Sequence, residues 1–183
     1  MGAMQWAQGL IDHQFANYVR LDGTIHYRGE EIAQTARMLT MLALYYSYTR
    51  DAALLVTHFP KAKGIADWLK ARRAMSLSYP KSDARYGMLP GSDEADNYAA
   101  LYYHQGSQLH FFSSTAEAYR AFAEMGPVWQ TIGKSVGRAD IALHGADLLT
   151  LAPVLYRDLH ASLNASETTG YVTRSNAETL IHR

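Results

Sequence analysis

The sequence predicts an all-α fold built from antiparallel helical hairpins, and three observations predict it. Apolar residues recur at spacings of three and four through residues 30–76 and 114–163, the period of a helix with one buried side. Strand-like alternation runs nowhere for a useful length, so any sheet is limited to two short strands. Glycine and proline punctuate the chain between the periodic stretches, most densely over residues 77–112. The 183 residues fit a single helical domain over 1–183 with a polar, loose tail from 164.

Each element has its own warrant. Residues 4–20 read as a first helix with Trp6, Leu10, Phe15 and Tyr18 inward, ended by the Asp22-Gly23 turn. Residues 30–48 form the strongest helix, rich in helix formers and free of Gly and Pro, with Ile32, Ala36, Leu39, Ala43 and Tyr46 on its buried side. Asp51 is placed to cap the next helix, which Pro60 is expected to interrupt before a second piece over 61–76 turns Ile65, Trp68 and Leu69 inward. After the long connection, Ser114-Thr115-Ala116-Glu117 reads as a capping box opening a helix over 115–125, which Gly126-Pro127 kinks or splits. Residues 139–163 form the last long helix, with Ile141, Leu148, Ala152, Leu155, Leu159 and Leu163 inward and a bend at Pro153.

Composition removes several function classes. Seventeen basic residues balance seventeen acidic ones, which leaves no excess to neutralise phosphates and argues against nucleic acid as a partner. With no cysteine there are no disulfides, thiolate metal sites or thiol nucleophiles. No apolar run approaches the roughly 18 residues needed to span a bilayer, so no membrane partner is expected. The start carries no basic segment leading into an apolar one, so no signal peptide is read there, and the compartment stays open. Tyrosine outnumbers phenylalanine 13 to 5. Its flat face and hydroxyl suit either carbohydrate or a wet helix interface.

The densest chemistry lies in Tyr86-Gly87-Met88-Leu89-Pro90-Gly91-Ser92-Asp93-Glu94-Ala95-Asp96-Asn97-Tyr98. Asp93, Glu94 and Asp96 fall within four residues, and Tyr86 and Tyr98 flank them. Carboxylates gathered on a loop that helices hold in place are material for acid/base work on a polar, uncharged substrate. If they crowd in a partly dry site, repulsion raises one pKa and makes a general acid. The alternative is a solvated acidic loop, or a short helix over 93–98 capped by one of the three. Asp93-Glu94-Ala95-Asp96 also spells the helicase acidic motif, and Gly133-Lys134-Ser135 the end of a phosphate loop. The glycine that such a loop needs at position 128 is valine and the order of the two is reversed, so nucleotide binding is rejected. Asp140, His144 and Asp147 share one helix face at metal-ligand spacing, but without a His-Glu-x-x-His pattern they read as a solvated face, and neither metal nor cofactor is expected.

Three segments together resemble the six-hairpin glycosidase superfamily, the (α/α)6 toroids. They are Asp22-Gly23-Thr24-Ile25-His26-Tyr27-Arg28-Gly29 running into the 34–42 helix, the 86–96 loop, and Glu117-Ala118-Tyr119-Arg120-Ala121-Phe122 followed by residues 126–133. The resemblance covers residues 22–163, with Met88 where leucine is usual. It implies part of an (α/α) toroid whose rim loops bind and hydrolyse a glycoside. Under it, Glu94 or Asp93 serves as general acid and Asp96 orients substrate hydroxyls. Tyr27, Arg28, Tyr86 and Tyr98 bind the sugar. A full ring needs twelve helices and about six pieces are legible, so the resemblance implies a partial ring completed by the remainder of a parent chain or by another copy. The alternative is a non-catalytic helical module that binds sugar or a protein partner.

Overall fold

A computed structural model describes residues 2–26, 31–91 and 109–166, and the backbone of 172–173 and 180–181. Helix dominates them: α1 (Ala3–Asn17), α2 (Ile32–Thr49), α3 (Ala52–Ser76), α4 (Phe112–Ser135) and α5 (Ala139–Ser166). Two short strands, β1 (Val172–Thr173) and β2 (Leu180–Ile181), pair antiparallel after the last helix. The all-α reading therefore holds.

Side-chain pairings fix the direction of each helix. The α2–α3 turn is tight: Arg50 takes the left-handed conformation (φ 58°) and closes α2, and Asp51 Oδ1 accepts the Leu54 amide at 3.1 Å, the expected cap of α3. Helices α4 and α5 run antiparallel as a second hairpin, since Tyr119 meets Tyr156 while Gly133 lies against Ala142. Between α1 and α3, Asp12 pairs with His58, Lys61 Nζ donates to the Phe15 carbonyl, and Gly23 abuts Gly64. Between α3 and α5, Phe59 meets His144, Lys70 meets Asp147 and Arg73 meets Asp158. In both sets the numbers rise together, so α1, α3 and α5 run one way. Helices α2 and α4 run the other way, side by side, joined near their starts by Arg37 and Glu117 at 3.1 Å. The chain is thus an array of hairpins stacked in the same sense, in two rows of opposed direction.

The core lies between the rows. Helix α2 buries Ile32, Ala36, Leu39, Ala43 and Tyr46 as its period requires, and Leu42 and Met38 besides. Phe122, Met125, Trp129 and Ile132 meet it from α4, and Phe59, Ile65 and Leu69 from α3. Burial at roughly 25 cal/mol per Å2 of apolar surface is what holds such helices, since propensity alone leaves them marginal.

Several expectations are corrected. Helix α1 stops at Asn17 rather than 20 and buries Ile11 and Phe15, whereas Trp6 and Leu10 are 69% and 55% exposed. Pro60 and Pro127 lie inside continuous helices instead of interrupting or splitting them, and Pro153 lies inside the last helix, as expected. Each removes one backbone hydrogen bond, about 3 kcal/mol in an isolated helix, and tertiary burial on both sides of the proline offsets it: Phe59 packs edge-on to Trp129 at 5.3 Å. Helix α4 begins at Phe112, so Ser114 and Thr115 are interior. The Thr115 hydroxyl accepts the Leu89 amide at 2.9 Å instead of closing a capping box. In α5, Asp158 and Ser162 are buried while Leu159 and Leu163 are only half-buried, and the helix continues to Ser166 where a loose tail was expected from 164.

Candidate functional site

Two loops reach the end of the molecule where α2 begins. The first follows α1. Val19 bridges Ile25, and His26 N–H donates to the Tyr18 carbonyl at 2.8 Å, closing residues 19–25 into a small hairpin. Asp22 Oδ1 accepts the Thr24 hydroxyl at 2.7 Å and its amide at 3.0 Å, and the Thr24 hydroxyl followed by its amide holds the carboxyl below the usual range. Gly23 (φ 84°) lets the hairpin lie directly on α3, where a Cβ would fall inside the backbone of Gly64.

The second loop follows α3 and is stapled by its own polar groups. Arg85 grips Asp83 with Nε and Nη2 at 3.0 and 2.7 Å, and this fork first, with the Arg85 amide, lowers the Asp83 carboxyl. The Arg85 guanidinium lies 4.1 Å over the Tyr79 ring, which is edge-on to His110. Gly87 (φ 73°) sits where a side chain would enter the Asp158 carboxylate, itself held by Arg73 at 2.6 Å. Beyond buried Met88 and Leu89, Pro90 bridges His110 and Gly91 N–H donates to the Leu109 carbonyl at 2.8 Å. This pair brackets the acidic stretch in sequence.

The base of that stretch rests on the start of α2. A Cβ on Gly91 would lie 2.8 Å from Ile32 Cδ1 and 3.8 Å from Arg72 Nη1. Arg72 covers the half-buried Trp68 ring at 4.7 Å, and burial lowers its pKa from the usual guanidinium value. Beside Trp68 opens a cavity of about 230 Å3 bounded by Arg20, Asp22, Thr24, Glu31 and Thr35. A second, of about 370 Å3, lies on the α1 side with His13, Tyr18, Gln34 and Met38. Ile25 and Glu31 line both. An aromatic face, carboxylates, a guanidinium and hydroxyls in one concave place suit an uncharged, hydroxyl-rich ligand.

Of the residues that the sequence puts forward, Tyr86 sits half-buried in the stapled loop. Tyr27, Arg28, Asp93, Glu94, Asp96 and Tyr98 lie outside the described residues. Their neighbours in the chain, Glu31-Ile32 and Gly91, are in contact through Ile32. Sequence reasoning passed over Glu31 as ordinary helix and took Trp68 only as core. The Asp22-Gly23-Thr24 turn was a usable signal for the first loop. On α5, Asp140 pairs with Arg138 at 2.6 Å, whose hydrogen bond lowers it to about 2, and Asp147 pairs with Lys70 at 2.6 Å. That face is an ion-pair surface. Among the described residues no three His, Asp or Glu converge as metal ligands, and none of the helices is long and apolar enough to cross a membrane. Comparison of the chain with protein-family models, with curated proteins and with solved structures found no match.

Proposed function

We propose that this chain is a carbohydrate-active domain of the six-hairpin glycosidase kind, part of an (α/α) toroid, that binds a glycoside at this rim and hydrolyses it with loop carboxylates. One observation carries the reading. The hairpin after α1, the start of α2 at Glu31 and Thr35, and Trp68 of α3 line one polar cavity, and the foot of the acidic loop at Gly91 packs close by, on Ile32 beside the Arg72 that covers the Trp68 ring. The stacking of hairpins in one sense, with α2 and α4 side by side, supports the toroid. Glycoside hydrolysis requires a protonated and an ionised carboxyl across the scissile bond, and Asp93, Glu94 and Asp96 supply the candidates, with Tyr27, Arg28, Tyr86 and Tyr98 for the sugar.

The test replaces Asp93, Glu94 and Asp96 singly by their amides in the whole chain and measures hydrolysis of aryl glycosides and binding of neutral oligosaccharides. Loss of roughly 10²–10⁴-fold in rate in one variant, with melting unchanged, is expected. Parental turnover in all three removes these carboxylates from the chemistry. The second reading, a non-catalytic module for a protein partner, is favoured by the exposed Trp6, Leu10, Leu44 and Tyr48 on α1 and α2. It gains if no sugar binds or reacts.

A further inference from the structure

The two cavities at the start of α2 have a common wall. Ile25 and Glu31 line both, and Glu31 is 9% exposed although it stands at the helix terminus, a place where carboxylates are normally solvated. The chambers on either side are chemically alike. One offers Trp68 and Asp22, the other Tyr18 and Gln34: an aromatic ring with polar groups in each. Together their volumes of about 370 and 230 Å3 fall in the range of ligand sites, roughly 300–1,000 Å3. Arg20 faces two carboxylates, Asp22 and Glu31, in the inner chamber, and no lysine or arginine lines the outer one, so neither has the excess of positive charge that would select a phosphate.

We propose that these chambers are two subsites of one cleft for an uncharged oligosaccharide, with Glu31 at their junction as the carboxylate that accepts hydroxyl hydrogen bonds from both adjoining sugar units. This rests on the carbohydrate reading above and deepens it, adding Glu31 and Tyr18 as binding residues beside Trp68. Trp68 is the platform of the inner subsite. One face of its ring is already stiffened by Arg72 at 4.7 Å, so a sugar gains contact without ordering the ring. Tyr18 serves the outer subsite, its ring fixed edge-on to His13 at 5.6 Å. Thr35, whose hydroxyl donates to the Glu31 carbonyl at 2.7 Å, ties the junction to the first turn of α2.

The test is calorimetric titration of the whole chain with maltose, cellobiose, xylobiose and mannobiose, each beside its monosaccharide. At least one disaccharide should bind about tenfold more tightly than its monosaccharide, as expected when a second set of hydrogen bonds is made. Glu31→Gln and Trp68→Ala should each weaken that disaccharide by about tenfold or more, and Trp68→Tyr should restore part of the loss. Tyr18→Ala should remove the disaccharide's advantage while leaving the monosaccharide unchanged. Melting curves identify any variant that has lost its fold, and Trp68→Tyr then stands in for it. If the disaccharide binds but Glu31→Gln and Trp68→Ala bind like the parent, the cleft is overturned and the loop reading survives. If no probe binds the parent, the carbohydrate reading falls and the cleft with it.

Discussion

The Arg73 guanidinium holds Asp158 through Nε and Nη2 where the two side chains are only 13% and 11% exposed. Removing one partner strands a charge in a dry place, so Arg73→Ala is expected to lower unfolding free energy by about 3–5 kcal/mol in urea titrations. Arg73→Met combined with Asp158→Leu should recover most of it, because a matched apolar pair leaves nothing stranded. Other carboxylates set the acid limit. Arg138 lowers Asp140 to about 2 and Arg85 lowers Asp83; burial pushes Asp67 up, but Lys63 and Lys70 more than offset it, so Asp67 is lowered too. A carboxyl lowered in the folded state stabilises above its ordinary pKa, and that stability is lost as pH falls through the folded value. Melting temperature should therefore hold down to about pH 4 and drop towards pH 2, less steeply in high salt; a flat profile across that window would show these pairs to be idle. The Asp51 cap was legible because an N-cap is a local event. The Arg73–Asp158 pair was not, since each residue taken singly reads as surface.

At the scale of elements, α4 and α5 are joined by glycine. A Cβ on Gly145 would meet Gln130 N and the Gly126 carbonyl oxygen at 2.6 Å, and Gly126 itself lies against Leu149. Gly145→Ala must push the helices apart and should cost about 1–3 kcal/mol; an unchanged midpoint would mean that the seam is slack. Asp51→Ala should cost about 1 kcal/mol through the lost cap, read from the same unfolding curves. Periodicity made α2 and its inward face readable, since one face of that helix is buried from Ile32 to Tyr46. It failed at Gly126-Pro127, where the same residues that break an isolated helix serve as contact surface once another helix lies on them. It failed in part of α1 for the opposite reason: Trp6 and Leu10 satisfy the period but are exposed, while Phe15, expected inward, packs on α3 beside His58 and Ile11 is buried where no inward residue was expected.

For the molecule as a whole, the apolar groove between α1 and α2, bordered by Met4, Leu10, Met41, Leu44 and Tyr48, continues the array at an open edge. Exposed apolar surface of this kind favours association. Sedimentation is expected to show concentration-dependent self-association that Leu10→Glu with Leu44→Glu abolishes; a monomer at every concentration would show the edge to be self-sufficient. The array direction was not legible in sequence, because it depends on which helices touch, and the candidate cleft was not legible because Glu31 and Trp68 come together only across α2 and α3. The clasp at Gly91 and Leu109 has an engineering consequence. The Gly91–Leu109 hydrogen bond and the Pro90–His110 bridge hold the two points where residues 92–108 are attached in register. Swapping those residues for a short glycine–serine tether should leave the helical dichroism and the melting curve nearly intact, since loop length changes closure entropy only slowly. The rim could then be furnished with foreign loops, much as a display scaffold is, while everything beneath Pro90 and His110 stays as it was.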